Sequence, residues 1–156
     1  SWVRAHGLAC SQSRITRASL QIRDRYSYPE LKAKAHNARV MMGWMADLTN
    51  ECLHDGACTD ATLRATAAWD IADLCALCDA HRSWKLSVDL ANIMAERIMI
   101  FLQSYQNLAT TALTNHNKLW AWKPKFHYLE HQQTPSNGKG CILVCFGTLG
   151  KKMSLA

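Results

Sequence analysis

A chain of 156 residues, with 49% hydrophobic residues and a formal net charge of +6, is long enough for one domain with its own core. This hydrophobic fraction excludes a disordered polar chain, and no apolar run reaches the roughly 18–20 residues of a membrane span. The low content of 7 Gly and 3 Pro favours long helices over a sandwich of short strands. We therefore expect a helical protein with no membrane partner.

The charge is unevenly distributed along the chain. Residues 1–40 contain eight Arg and Lys against two acids, residues 41–115 contain four against nine, and residues 116–156 contain six against one. Basic ends can bind phosphate groups, and they can equally fold back onto an acidic middle. A solvated surface with internally balanced charges is the default interpretation of such a pattern.

The cysteines and the first residue bear on the cellular context. Seven cysteines, an odd number, do not suit the disulfide framework of a small secreted protein. No signal peptide is recognisable either, so we expect an intracellular, reducing compartment, with cytoplasm and nucleus not distinguished. The chain begins with Ser1 rather than Met, which indicates that it is processed, trimmed or a fragment of something longer, and we expect the C-terminal part of a larger protein.

Residues 1–26 predict a basic, weakly structured arm. Leu20 and Ile22 alternate with polar residues, which indicates a short strand or an extended segment. Arg14 and Arg17 are candidate ligands for phosphate groups in this arm. The alternative is that the segment is the irregular start of a truncated domain.

The first long helix is predicted to begin at Ser27 and to end near Gly56. Ser27 and Glu30 form a capping box, and Pro29 is tolerated in the first turn. Gly56 suits a left-handed helix end. Apolar residues at spacings of three and four predict one buried stripe: Leu31, Ala35, Ala38, Met42, Met45, Leu48 and Cys52.

The second long helix is predicted to begin at a cap provided by Thr59 or Asp60 and to end around His81. Asp70 and Asp73 are predicted on the side opposite to its apolar stripe. That stripe consists of Leu63, Ala67, Ile71, Leu74 and Cys78.

The third long helix is predicted from about Ser87 to Leu113, a length of roughly 40 Å. Its stripe is the longest in the chain and consists of Leu90, Met94, Ile98, Phe101, Tyr105, Leu108 and Ala112. Three such helices with short connections predict a mostly α fold, an antiparallel bundle occupying residues 27–133.

A short helix and a short apolar element are predicted after the bundle. Pro124 is expected to start the short helix, which contains Phe126 and His131. Residues 134–156 begin with a loop, and the apolar run at 141–146 can be a strand or a short helix, because periodicity does not decide between them.

The short helix carries a pattern known from zinc enzymes. His127, Glu130 and His131 fit H-x-x-E-H, in which two His on one helix face hold a metal and a Glu acts as general base. A catalytic site of that kind needs a third protein ligand, normally an acid downstream. Residues 132–156 contain no Asp or Glu, so the pattern does not support a protease.

A structural zinc site is the alternative interpretation of the same helix. His127 and His131 with Cys141 and Cys145 have the ligand types and the H-x3-H and C-x3-C spacings that zinc uses. The simpler interpretation is that Phe126, Leu129 and one imidazole pack inward while Glu130 faces water. We favour it, and expect no cofactor, with zinc as the alternative.

The remaining cysteine patterns favour structural roles. Cys75 and Cys78 form C-x-x-C in the middle of a helix, where the helix dipole does not favour a thiolate, so they are predicted to be buried thiols. Cys52, His54 and Cys58 flank a helix end and could ligate a metal, but we favour the interpretation that they bind none. Without a Ser-His-Asp pattern or a Gly-rich phosphate loop, no enzyme class is supported.

A nucleic-acid interface is the other candidate site. Trp122 can stack on a base while Lys123 and Lys125 hold phosphates, together with Arg14 and Arg17 of the arm. Tryptophans 120 and 122 do not share a helix face, so one is predicted to pack and the other to be exposed. Anchoring in the core is the competing interpretation.

Five segments of the chain carry a family likeness, at residues 28–39, 44–47, 105–109, 119–120 and 123–127. Together they resemble an uncharacterised helical protein family that is abundant in dinoflagellate algae, and the resemblance covers about residues 14–131. Family members continue with an acidic triplet, and Thr148 and Leu149 stand in its place here. The Pro-Lys-x-His piece is also similar to transposon-derived proteins. The family implies a helical architecture and no established activity.

The sequence as a whole predicts a non-enzymatic helical interaction module. Its partner would be a protein or, through the basic segments, a nucleic acid. The alternative is a zinc site at His127 and His131, structural or a catalytic relic. No oligomeric state is predicted.

Overall fold

A computed structural model of the chain describes residues 2–11, 15–18, 20, 35–53, 58–81, 86–117, 119, 120, 126 and 129. In these ranges the chain forms four helices and no strand: α1 (Trp2–Ala5), α2 (Ala35–Glu51), α3 (Thr59–Ala80) and α4 (Val88–Thr114). The predicted mostly α fold is confirmed, because the three long helices pack against each other.

α3 is the central helix, with α2 and α4 packed along it. Arg39 near the start of α2 bonds Asp79 near the end of α3 at 2.8 Å, so these two helices are antiparallel. Side chains from all three long helices, together with Leu129 from the segment after α4, form one core. It consists of Met42, Ile71, Leu74, Met94, Ile98, Leu102 and Leu129.

α4 agrees with its sequence prediction along its whole length. Ser87 is the N-cap, and its hydroxyl accepts a hydrogen bond from the Leu90 amide at 3.2 Å. Every residue of the predicted stripe from Leu90 to Ala112 is buried or half-buried. A single apolar stripe predicted this face well because α4 buries one side, which faces α3 and the aromatic residues that follow α4.

Two predictions for α3 were wrong. The N-cap is Cys58 rather than Thr59 or Asp60, and its side chain makes no capping bond. The two polar residues already lie in the first turn, where Asp60 pairs with Arg64 instead. Asp70 was expected to face solvent and is only 4% exposed, because Arg97 of α4 lies against it.

The predicted stripe of α2 was partly wrong. Ala38 and Met42 are buried, but Met45 and Leu48 are 39% and 40% exposed, and Cys52 is also exposed. The buried surface is broader than one stripe, because residues 2–11 contact a second side of α2. It also includes Val40, Met41 and Ala46. The predicted start at Ser27 and the Gly56 terminator lie outside the described residues.

Residues 2–11 are held on α2 by polar contacts. Trp2 Nε1 donates to Asp47 Oδ2 at 2.6 Å, and Ser11 and Asn37 exchange hydrogen bonds at 3.1 and 3.2 Å. A Cβ at Gly43 would lie 3.2 Å from the Trp2 ring, so glycine allows the close approach. Because the sequence predicted a weakly structured arm for residues 1–26, the α1 turn is a feature the pattern did not reveal.

Aromatic side chains cover the second half of α4. Tyr105 contacts Trp120 and Phe126 with ring centroids 5.3 and 4.6 Å apart, and Phe126 also contacts Phe101. Leu129 is 5% exposed. Two residues of the predicted Pro-started helix therefore pack inward, as expected, while Pro124 and the apolar run at 141–146 lie outside the described residues.

None of the helices described is both long and apolar enough to cross a lipid bilayer.

Candidate functional site

Most residues of the two predicted sites lie outside the described part of the chain. For the nucleic-acid interface these are Arg14, Trp122, Lys123 and Lys125, while Arg17 is described and exposed. Trp120 packs edge-on against Tyr105, so one tryptophan of the pair is an anchor, as predicted. The exposure of its neighbour stays a prediction.

All four ligands of the predicted zinc site, His127, His131, Cys141 and Cys145, also lie outside the described residues. The described ranges hold no group of three or more His, Cys, Asp or Glu that could bind a metal ion. The zinc interpretation therefore stays a prediction from sequence spacing.

The C-x-x-C pair lies in the last two turns of α3, closer to the C-terminal end than the mid-helix position that the sequence predicted. Cys75 and Cys78 are half-buried free thiols on α3. Burial raises the pKa of each thiol to about 11. Both are therefore protonated at neutral pH, which does not suit a redox pair.

The site that the structure does reveal is a charged cluster between α3 and α4. Arg97 Nη1 lies 3.2 Å from Asp70 Oδ1, and Arg97 Nε lies 3.0 Å from Asp73 Oδ2. The Asp70 side chain is 5% exposed, whereas those of Asp73 and Arg97 are 38% and 42% exposed. One guanidinium thus bridges a buried and a half-exposed carboxylate.

The buried carboxylate is incompletely satisfied. Within the described chain Asp70 Oδ2 is buried and has no hydrogen-bond partner. Burial raises the pKa of Asp70, and the charges of Asp73 and Glu96 act in the same direction, while Arg97 opposes them. The net direction is upward, so desolvation outweighs the ion pair.

Apolar side chains border this cluster on its exposed side. Trp69 is 49% exposed on α3 and Ile93 is 45% exposed on α4. We define the outer face as Trp69, Asp73 and Ala76 of α3 with Ile93, Glu96 and Arg97 of α4. All but the half-buried Asp73 and Arg97 are exposed.

Sequence reasoning did not find the outer face. Trp69 is absent from the predicted stripe of its helix, and a large apolar residue off the stripe was the available signal. The partners of Asp70 and Asp73 carried no comparable signal, because Arg97 is 27 residues away from Asp70.

The helical body as a whole is acidic. We use this name for residues 35–53, 58–81 and 86–117, which contain eight Asp and Glu against three Arg and no Lys. The remainder of the chain therefore holds 15 of the 18 basic residues and 4 of the 12 acids. The charge is segregated between the body and the other segments.

Comparison with known proteins gives no family: no family model matches the chain, and no curated protein or solved structure is significantly similar to it. The resemblance to the dinoflagellate family and to transposon-derived proteins stays a prediction.

Proposed function

We propose that the protein is a non-enzymatic helical interaction module whose basic segments give it affinity for nucleic acid. The observation that carries the proposal is the segregation of charge. The helical body has more than twice as many acids as arginines, while 15 of 18 basic residues lie outside it.

Basic segments on an acidic scaffold suit binding to a phosphate backbone. Lysine and arginine neutralise phosphates and release condensed counterions, so affinity of this kind needs no particular base sequence. Arg4 and Arg17, the two described basic residues outside the body, are both exposed. Trp122, between Ala121 and Lys123, is the proposed stacking residue.

The test is a fluorescence-anisotropy titration of the whole chain with labelled random-sequence single-stranded DNA between about 50 and 200 mM salt. We expect the logarithm of the binding constant to fall linearly with the logarithm of the salt concentration. In a Lys123→Gln/Lys125→Gln variant the slope should flatten by about 1 for each phosphate that is no longer neutralised.

A variant with equal charge change serves as the matched control. Arg39→Gln/Arg64→Gln removes two charges from the helical body, and it should retain the wild-type slope. Equal effects of the two double variants would show that net charge alone matters. No binding at about 50 mM salt would exclude nucleic acid as the partner and leave a protein partner.

A further inference from the structure

We infer that the outer face of α3 and α4 binds a basic amphipathic helix of a partner protein. This goes beyond the proposed affinity for nucleic acid, because it uses a different surface and the opposite sign of charge. It rests on three properties of the outer face: exposed apolar side chains, their position on either side of the contact between α3 and α4, and an acidic setting.

The apolar side chains lie on matching stripes of the two helices. On α3, Trp69, Asp73 and Ala76 follow one another at spacings of four and three, so they share one side of the helix. On α4, Glu96 and Arg97 lie three and four residues after Ile93, on the same side of that helix. Each helix therefore presents both apolar and charged side chains on this solvent-facing side.

The charged contacts place the two stripes side by side. Arg97 Nε lies 3.0 Å from Asp73 Oδ2, and this ion pair fixes the register between the helices. α3 and α4 follow each other with a short connection, so they run in opposite directions. The turn after Asp73 on α3 thus lies beside the turn before Arg97 on α4, and Ala76 is level with Ile93.

The outer face presents exposed apolar side chains on both sides of a charged pair. Trp69 is half exposed at one end and Ile93 at the other, with the Arg97–Asp73 pair between them. Tryptophan is among the residue types most enriched at binding hot spots. A partner helix would place apolar residues at spacings of three and four against Trp69 and Ile93.

The negative charge of the helical body and of its outer face indicates the class of partner. The helical body carries eight acids against three arginines, and on the outer face Arg97 already pairs with two carboxylates. Glu96 is exposed, and together with Asp70 and Asp73 it sets three carboxylates against the single guanidinium of Arg97. A basic partner gains from these charges, whereas the helical body of a second copy would bring acids against acids.

The experiment measures binding of a labelled synthetic peptide to the whole chain. The peptide has about 18 residues, or five helical turns, with Leu on one face and Lys on the other. A peptide with Glu in place of Lys serves as the charge control. We expect the Lys peptide to bind at least tenfold more tightly than the Glu peptide at low salt.

Variants locate the site. Trp69→Ala should weaken binding of the Lys peptide about tenfold or more, and Glu96→Lys should weaken it about fivefold at low salt. Leu48→Ser is the matched control, because Leu48 is 40% exposed on α2, away from the outer face, and it should change affinity less than twofold. Circular dichroism establishes that each variant is folded.

Several results would overturn the inference. Equal affinity of the wild type and folded Trp69→Ala, or a larger loss with Leu48→Ser, would place the peptide elsewhere. A dimer in sedimentation equilibrium that dissociates in Trp69→Ala would assign the face to a second copy. Stronger peptide binding by Lys123→Gln/Lys125→Gln would assign it to the chain's own basic segment. DNA binding is measured separately, so either proposal can fail alone.

Discussion

Asp70 shows how much a single residue depends on its neighbours in the fold. Its carboxylate is 4% exposed, one oxygen bonds Arg97, and the other has no partner within the described residues. Desolvation of a buried charge costs several kcal/mol, and the Coulomb attraction within an ion pair offsets only part of this cost. We therefore expect the pair to fix the register of α3 and α4 more than to stabilise the fold.

Removal of the arginine should be costly even though the intact pair is not strongly stabilising. Arg97→Met leaves Asp70 buried without its cation, and we expect the free energy of unfolding at pH 7 to fall by about 2 kcal/mol, below the usual range because Arg97 is 42% exposed. Arg64→Met breaks an exposed pair within α3 and should cost under about 0.5 kcal/mol. Urea unfolding measures both, and equal losses would contradict the buried character of the Asp70 pair.

The raised pKa of Asp70 predicts a pH dependence of stability. A proton binds Asp70 more readily in the folded state than in the unfolded state, so its stabilising contribution is present at low pH and is lost as the pH rises through the folded pKa. The facing charges are Arg97, Asp73 and Glu96.

The comparison of wild type with Asp70→Asn isolates this contribution, because both proteins share every other titrating group. From pH 7 towards pH 4, the free energy of unfolding of the wild type should rise relative to that of Asp70→Asn. Urea unfolding at several pH values gives the difference directly. A difference that stays constant or reverses would mean that the ion pair outweighs burial at Asp70.

The long helices differ in how well periodicity predicted their buried faces. α4 buries one stripe, and all seven predicted residues are buried or half-buried. α2 is contacted by α3 and also by residues 2–11, so polar Asn37 is 4% exposed while apolar Leu48 is 40% exposed. A pattern rule that assumes one covered face succeeds for the first arrangement and fails for the second.

The N-terminus of α3 offers a stabilising substitution. Cys58 has the extended backbone of an N-cap, with φ −69° and ψ 154°, but its side chain accepts no bond from the first turn. Cys58→Asp should raise the free energy of unfolding by about 1 kcal/mol, because the carboxylate can cap the free amides and face the positive helix end.

Two variants control for this effect in thermal and urea unfolding. Ser87→Ala removes the existing cap of α4 and should cost about 1 kcal/mol. Cys52→Asp adds the same charge to an exposed position after the end of α2, where the helix dipole disfavours it, so no gain is expected. Destabilisation by Cys58→Asp would mean that α3 does not begin at Thr59.

At the scale of the whole molecule, the sequence predicted the fold class better than the site. The fold class, the end of α3 and both ends of α4 follow from local period, capping and punctuation, which act within a few residues, whereas the predicted cap of α3 was wrong. The outer face depends on which helix lies beside Asp70 and Asp73. The local sequence pattern predicts only that acids of this kind are exposed to solvent. Buried acids of this kind become predictable only when the neighbouring helix and its register are known.

The packing of the segment after α4 also ties distant parts of the chain together. Leu129 is 5% exposed and belongs to the same core as Met42 of α2 and Leu74 of α3. If this packing completes the bundle, Leu129→Ala should lower the free energy of unfolding by about 2–4 kcal/mol through the cavity it leaves. Leu119→Ala, at a leucine that is 48% exposed, should cost under about 1 kcal/mol. Urea unfolding followed by circular dichroism distinguishes the two, and similar small losses would mean that α2, α3 and α4 close their core without the segment that contains Leu129.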